Sequence, residues 1–206
     1  MLDRRIAQWI KPGVTRLARF AVSVGFTADS LTFLGFGLGL AAASCIALSH
    51  FQIGLSLILI SRLCDALDGA VARFDHPTDR GGFLDIALDF LFYASIPLAF
   101  AIANPQQNAL AGAVLLAAFM GTSTSFLAFA VLAAKRNLHS EDYPDKSFYF
   151  LGGLTEATET LLFFAAMCLW PEYFVVLAYT FSALCLLTIV SRLVWGWKAF
   201  TDHPSA

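Results

Sequence analysis

Charge is what this sequence has least of. Only 14% of its 206 residues are Asp, Glu, Lys or Arg, against about 25% in a soluble domain, which leaves too little polar surface for a protein surrounded by water. A net charge of -2 excludes binding to nucleic acid through a basic surface, and an apolar content of 58% excludes intrinsic disorder. The four cysteines, Cys45, Cys64, Cys168 and Cys185, lie inside apolar stretches without CxxC spacing, which excludes a disulfide framework or a thiolate metal site. His50, His76, His139 and His203 have no partner at zinc-ligand spacing. GxSxG, P-loop and Rossmann signatures are also missing, so hydrolase, NTPase and dinucleotide-binding readings have no residues to rest on.

Apolar runs are what the sequence has in quantity, with a mean hydropathy of +0.71. A spanning helix needs about 20 such residues. Runs at 31–49, 53–74, 82–103, 109–134, 147–169 and 173–197 predict six spans. The expected fold is all-α: a polytopic membrane bundle of six transmembrane helices preceded by an interfacial amphipathic helix, forming a single domain over 1–206. Within it, residues 1–26 form the arm and 27–206 the bundle. In the arm, Leu2, Ile6, Trp9 and Ile10 share one helical face, and Val14, Leu17 and Ala21 continue it after an expected break at Pro12-Gly13. Asp3, Arg4, Arg5 and Lys11 interrupt any signal-peptide core there. Lys and Arg fall on one side of the predicted spans, while the loops near His50, Asn104 and Pro171 contain none. The positive-inside tendency therefore places both termini, and the polar segment after the second span, in the cytoplasm.

That segment holds the densest charge. Asp65 and Asp68 are three residues apart and Asp85 and Asp89 four apart, so each pair shares a helical face, with Cβ atoms about 5–6 Å apart. Four facing carboxylates near a membrane cannot all stay ionised unaided. Two divalent cations would balance them, and an oxygen-only ligand set favours Mg²⁺ or Mn²⁺, with Ca²⁺ as a further occupant. Gly69 leaves room beside the carboxylates for a flat or phosphorylated ligand, and Arg73 is one turn beyond it. Gly81 and Gly82 open the next helix, where free N–H groups favour anions. The pattern describes a metal-bridged pyrophosphate site, whereas Asp75 and Asp79 read as solvated loop charge.

The run Asp65-x2-Asp68-Gly69-x2-Ala72-Arg73-x7-Gly81-x3-Asp85-x3-Asp89 resembles the signature of the CDP-alcohol phosphatidyltransferase family at every defined position. The six-span plan with a cytoplasmic arm resembles that family too. The resemblance implies transfer of a phosphatidyl group from a CDP-alcohol, usually CDP-diacylglycerol, to a small alcohol or phosphorylated alcohol with release of CMP. It implies metal ligation by Asp65, Asp68, Asp85 and Asp89, with Asp89 also the general base, and nucleotide contact at Gly69, Ala72, Arg73 and Gly81. It further implies a homodimer in the cytoplasmic (inner) membrane and a role in phospholipid biosynthesis.

Outside the motif, Glu156 and Glu159 share a face in the fifth predicted span, with Arg62 and Arg192 as expected ion-pair partners or as cations for an anionic acceptor. The Thr122-Ser123-Thr124-Ser125 run offers weak hydrogen-bonding capacity. Thr27, Asp29 and Thr32 read mainly as helix-capping residues. An ion-coupled transporter using the intramembrane carboxylates is the rival reading, but it does not require Gly69, Ala72 and Arg73 beside them. Membrane prenyltransferases resemble DDxxD motifs on longer chains, and this sequence has no adjacent aspartates.

Overall fold

The computed structural model describes residues 2–74, 77–136 and 155–201, with side chains from Trp9 onward. Among these residues it is helical throughout: α1 (Leu2–Ser23), α2 (Ala28–Ala47), α3 (Phe51–Ala72), α4 (Asp79–Ala103), α5 (Pro105–Lys135), α6 (Ala157–Leu169) and α7 (Phe174–Ala199), the last preceded by a single 3₁₀ turn at Pro171–Tyr173. Four segments are long and apolar enough to cross a membrane: α2, α4, α5 and Pro171–Ala199. At 22 residues, α3 is about 33 Å long, but Arg62, Asp65 and Asp68 interrupt its apolar run. The described part of α6 has 13 residues.

Two local expectations are corrected. Pro12 does not break the arm; α1 runs through it as one helix, at the cost of the backbone hydrogen bond that proline cannot donate. The fifth apolar run is not one helix from 147 to 169. Residues 147–154 lie outside the described residues, Thr155 and Glu156 are non-helical, and α6 starts at Ala157.

Helix starts follow side-chain chemistry. Thr27 caps α2 and exchanges hydrogen bonds reciprocally with Ser30, while Thr78 caps α4 and Asn104 caps α5. Packing depends on shape, because lipid offers apolar side chains as much as a neighbouring helix does. Gly35 brings α2 so close to α3 that an added Cβ would stand 3.1 Å from Cys64 Cβ and 3.2 Å from the Ser61 carbonyl oxygen. Ser61 Oγ donates to the Gly35 carbonyl at 2.7 Å across that contact. At Gly39 an added Cβ would fall 2.5 Å from the Phe92 ring on α4. Helix α2 therefore fits against both α3 and α4. The interior beyond it is filled by Phe92, Phe100, Phe164, Phe174 and Phe181, with Phe100 and Phe174 stacked at 4.6 Å. All four cysteines are free and three are buried, as expected of packing residues. Ala18 and Ala21 of the arm lie against Ala70 and Val71, at the end of α3.

Candidate active site at the ends of α3 and α4

The motif carboxylates occupy the facing ends of α3 and α4. One oxygen from each of Asp65, Asp68 and Asp85 lies within 4.8 Å of the others. Ligand oxygens on a shared hard cation sit about 2.0–2.6 Å from it, so this spacing falls within what one coordination sphere can span. The donors are all carboxylate oxygens, which suits Mg²⁺, Mn²⁺ or Ca²⁺. Asp68 is buried and Asp85 exposed, so the triad runs from the helix interface to its rim. Thr32 of α2 donates its hydroxyl to Asp68 Oδ2 at 2.6 Å and thereby fixes the most buried of the three carboxylates.

Asp89 does not join the triad. Its Oδ1 accepts from Arg62 Nη1 at 2.6 Å, while the same nitrogen lies 3.5 Å from Asp65 Oδ1. The sequence reading paired Arg62 with Glu156 or Glu159 in the fifth span, and the structure corrects this. Helix α6 starts after Glu156, which caps it, and Glu159 accepts the Glu156 N–H at 3.1 Å. The spacing of Glu156 and Glu159 was itself a visible capping signal.

The remaining motif residues are arranged more openly. A Cβ added at Gly69 would meet only Arg73 Nη1, at 3.6 Å, so that position borders open space. Ala72 is half-buried and Arg73 exposed. The N–H groups of Gly81 and Gly82 are not free for an anion, as the sequence suggested; Thr78 takes both, through Oγ1 at 3.1 Å and its carbonyl at 3.0 Å. Asp29 forms an ion pair with Arg80, tying the start of α2 to the start of α4. The cavity among Thr32, Gly35, Arg62, Asp65, Asp85 and Asp89 holds about 10 Å³. That is about the volume of one water-sized sphere.

Residues 26–193 match the sequence model of the CDP-alcohol phosphatidyltransferase family. The chain belongs to this family. It is 52% identical to the inner membrane protein YnjF of Escherichia coli over 196 residues, covering 95% of both chains. It is also 33% identical, over 93 residues, to an archaetidylinositol phosphate synthase of Pyrococcus horikoshii, covering 45% of this chain and 50% of that one. In structure, it resembles the phosphatidylinositol phosphate synthase of Mycobacterium tuberculosis. The form with CDP-DAG bound gives a TM-score of 0.72 at 22% identity and covers 93% of this chain and 98% of that one. The form in complex with manganese and citrate gives 0.73 at 22% identity, covering 92% of each. The family's signature positions are thus carried on a helical membrane scaffold of the same fold.

A second cavity, of about 620 Å³, lies between α5 and α7 and is lined by Phe129, Leu132, Arg192, Trp197 and Phe200 among others. Arg192 is 8% exposed. Its Nη1 donates to the Thr122 carbonyl at 2.9 Å, while its buried Nε has no hydrogen-bond partner. The Thr122–Ser125 run mostly bonds within its own helix, Thr122 to Phe119 and Ser125 to Thr122. Of the four histidines, His50 precedes α3 without a side-chain cap, and His76, His139 and His203 lie outside the described residues.

Proposed function

We propose that this protein transfers a phosphatidyl group from CDP-diacylglycerol, or a closely related CDP-alcohol, to an alcohol acceptor, with release of CMP. The observation that carries the reading is the convergence of Asp65, Asp68 and Asp85 beside a separately held Asp89, within the region matched to the family. Asp65, Asp68, Asp85 and Asp89 would hold two divalent cations, Mg²⁺ or Mn²⁺, which when bound would supply positive charge against the diphosphate and the departing CMP. Asp89 accepts the proton of the attacking hydroxyl as its oxygen bonds to the lipid-linked phosphorus and the bond to the CMP oxygen breaks. Arg73, exposed one turn after Gly69, meets the phosphates; Gly69 leaves space for the nucleotide, and Ala72 and Gly81 contact it.

The acceptor proposed is a phosphorylated polyol. The two kinds of relative named as synthases both make inositol phosphate lipids by name, and Arg192 offers a buried guanidinium with unfilled donor capacity. We assign the chain a single domain, an interfacial arm over 1–26, cytoplasmic termini and active site, and a homodimeric state in the inner membrane. Support for the orientation comes from the one-sided distribution of Lys and Arg.

The direct test is CMP release by the purified protein from CDP-diacylglycerol with pooled acceptors, with and without Mg²⁺ or Mn²⁺, followed by mass spectrometry of the lipids. Metal-dependent release and a new phospholipid are expected. Absence of both over a panel of donors and acceptors would favour the transporter.

A further inference from the structure

Arg62 lies one helical turn before the first motif aspartate, and its guanidinium is gripped on several sides. Nη1 bridges Asp89 at 2.6 Å and Asp65 at 3.5 Å. Nη2 donates to Ser61 Oγ at 3.3 Å, and Ser61 is itself fixed to the Gly35 carbonyl. The guanidinium carbon stands 4.0 Å from the centre of the Phe92 ring, a cation–π contact strengthened by exclusion of water. Phe92 follows Asp89 by one turn on α4, so the same helix supplies both the carboxylate that Arg62 holds and the ring it rests on. That ring is fully buried and packs edge-on against Tyr93 and Phe164.

A point charge that merely neutralised two carboxylates would need neither the ring nor the Ser61 contact. A planar, forked donor uses both. Arg62 thereby ties Asp89, which lines the same small cavity as Asp65 and Asp85, to the triad at Asp65, with the shorter contact on Asp89. We infer that Arg62 is a positioning residue that holds Asp89, the proton acceptor, in place beside the Asp65–Asp68–Asp85 triad. The inference rests on the transferase reading above, with Asp89 as base. It gives a residue outside the signature control over the placement of the last aspartate within it.

The test compares wild type with Arg62→Gln and Arg62→Lys as purified full chains, measuring kcat and KM for CDP-diacylglycerol together with direct Mn²⁺ binding. Misplacing a reacting group by about 1 Å can cost about 100-fold in rate, so Arg62→Gln is expected to lower kcat by about that factor. KM and Mn²⁺ affinity are expected to stay within about threefold, because the triad is intact. Lysine keeps the charge and loses the fork, so Arg62→Lys is expected to recover only a minor part of the lost kcat. The inference is overturned if Arg62→Gln keeps wild-type kcat, if Arg62→Lys restores it fully, or if lost Mn²⁺ binding accounts for the whole defect. Should Arg62→Gln not fold, Arg62→Lys decides: a folded protein with depressed kcat supports positioning, whereas full activity or a second failure to fold makes Arg62 a structural brace. Wild type that binds Mn²⁺ but releases no CMP from any CDP-alcohol overturns the transferase reading and the inference with it. An active wild type beside an equally active Arg62→Gln overturns the inference alone.

Discussion

The carboxylate site and the α5–α7 groove share one bundle and are built on opposite plans. The first encloses about 10 Å³ and holds its charged groups in defined contacts: Thr32 on Asp68, Arg62 on Asp89 and Asp65. The second offers about 620 Å³ and mostly apolar walls with Arg192 among them; the Nε of Arg192, like that of Arg62, has no hydrogen-bond partner. A tight space with paired carboxylates suits ions and proton transfer, where small displacements cost rate. A wide, mostly apolar space with a buried cation in its wall suits an organic anion.

The sharpest way to break this contrast is Asp89→Asn, which removes the proposed proton acceptor and leaves the triad intact. CMP release should fall by about 1,000-fold while CDP binding, followed by calorimetry, is nearly unchanged; retained turnover would remove Asp89 from the base role. Arg192→Gln probes the other region. A lost charge-assisted contact of about 2 kcal/mol corresponds to about 30-fold in affinity, expected as a raised acceptor KM with unchanged Mn²⁺ binding and normal expression. Loss of folded protein would instead mark Arg192 as a brace between α5 and α7 through Thr122. Next in size is Thr32→Val, which unties Asp68 and should weaken Mn²⁺ binding about tenfold, as outer-shell changes at metal sites commonly do. Smallest is Thr27→Ala, which removes a helix cap outside both regions. It should cost about 1 kcal/mol of stability in a thermal melt and leave kcat unchanged.

The motif was legible from spacing alone because each aspartate pair is local to one helix, where sequence distance fixes the face. The partner of Arg62 was not. Whether Arg62 meets Asp89 on α4 or Glu159 on α6 depends on how the helices rotate against each other, which Gly35 and Gly39 decide by close approach. The same limit hid the bond from Thr32 to Asp68, 36 residues away in sequence. The start of α6 differs for another reason: apolar runs flank the polar stretch Thr155–Thr160 and a single span bridges it on paper, whereas Glu156 and Glu159 have capping spacing. At Pro12 a general breaker rule lost to local context, since α1 stays helical across it. The N–H groups of Gly81 and Gly82 look free from the glycines alone, and it is the cap at Thr78 that occupies both.

Gly39 touches no carboxylate, yet an added methyl there would press on Phe92, Phe92 carries Arg62, and Arg62 sets Asp89. A hydrogen atom on α2 is thus the first link in a mechanical linkage that ends at the proposed proton acceptor. Along that linkage, the catalytic specification includes a position whose whole contribution is to occupy no volume.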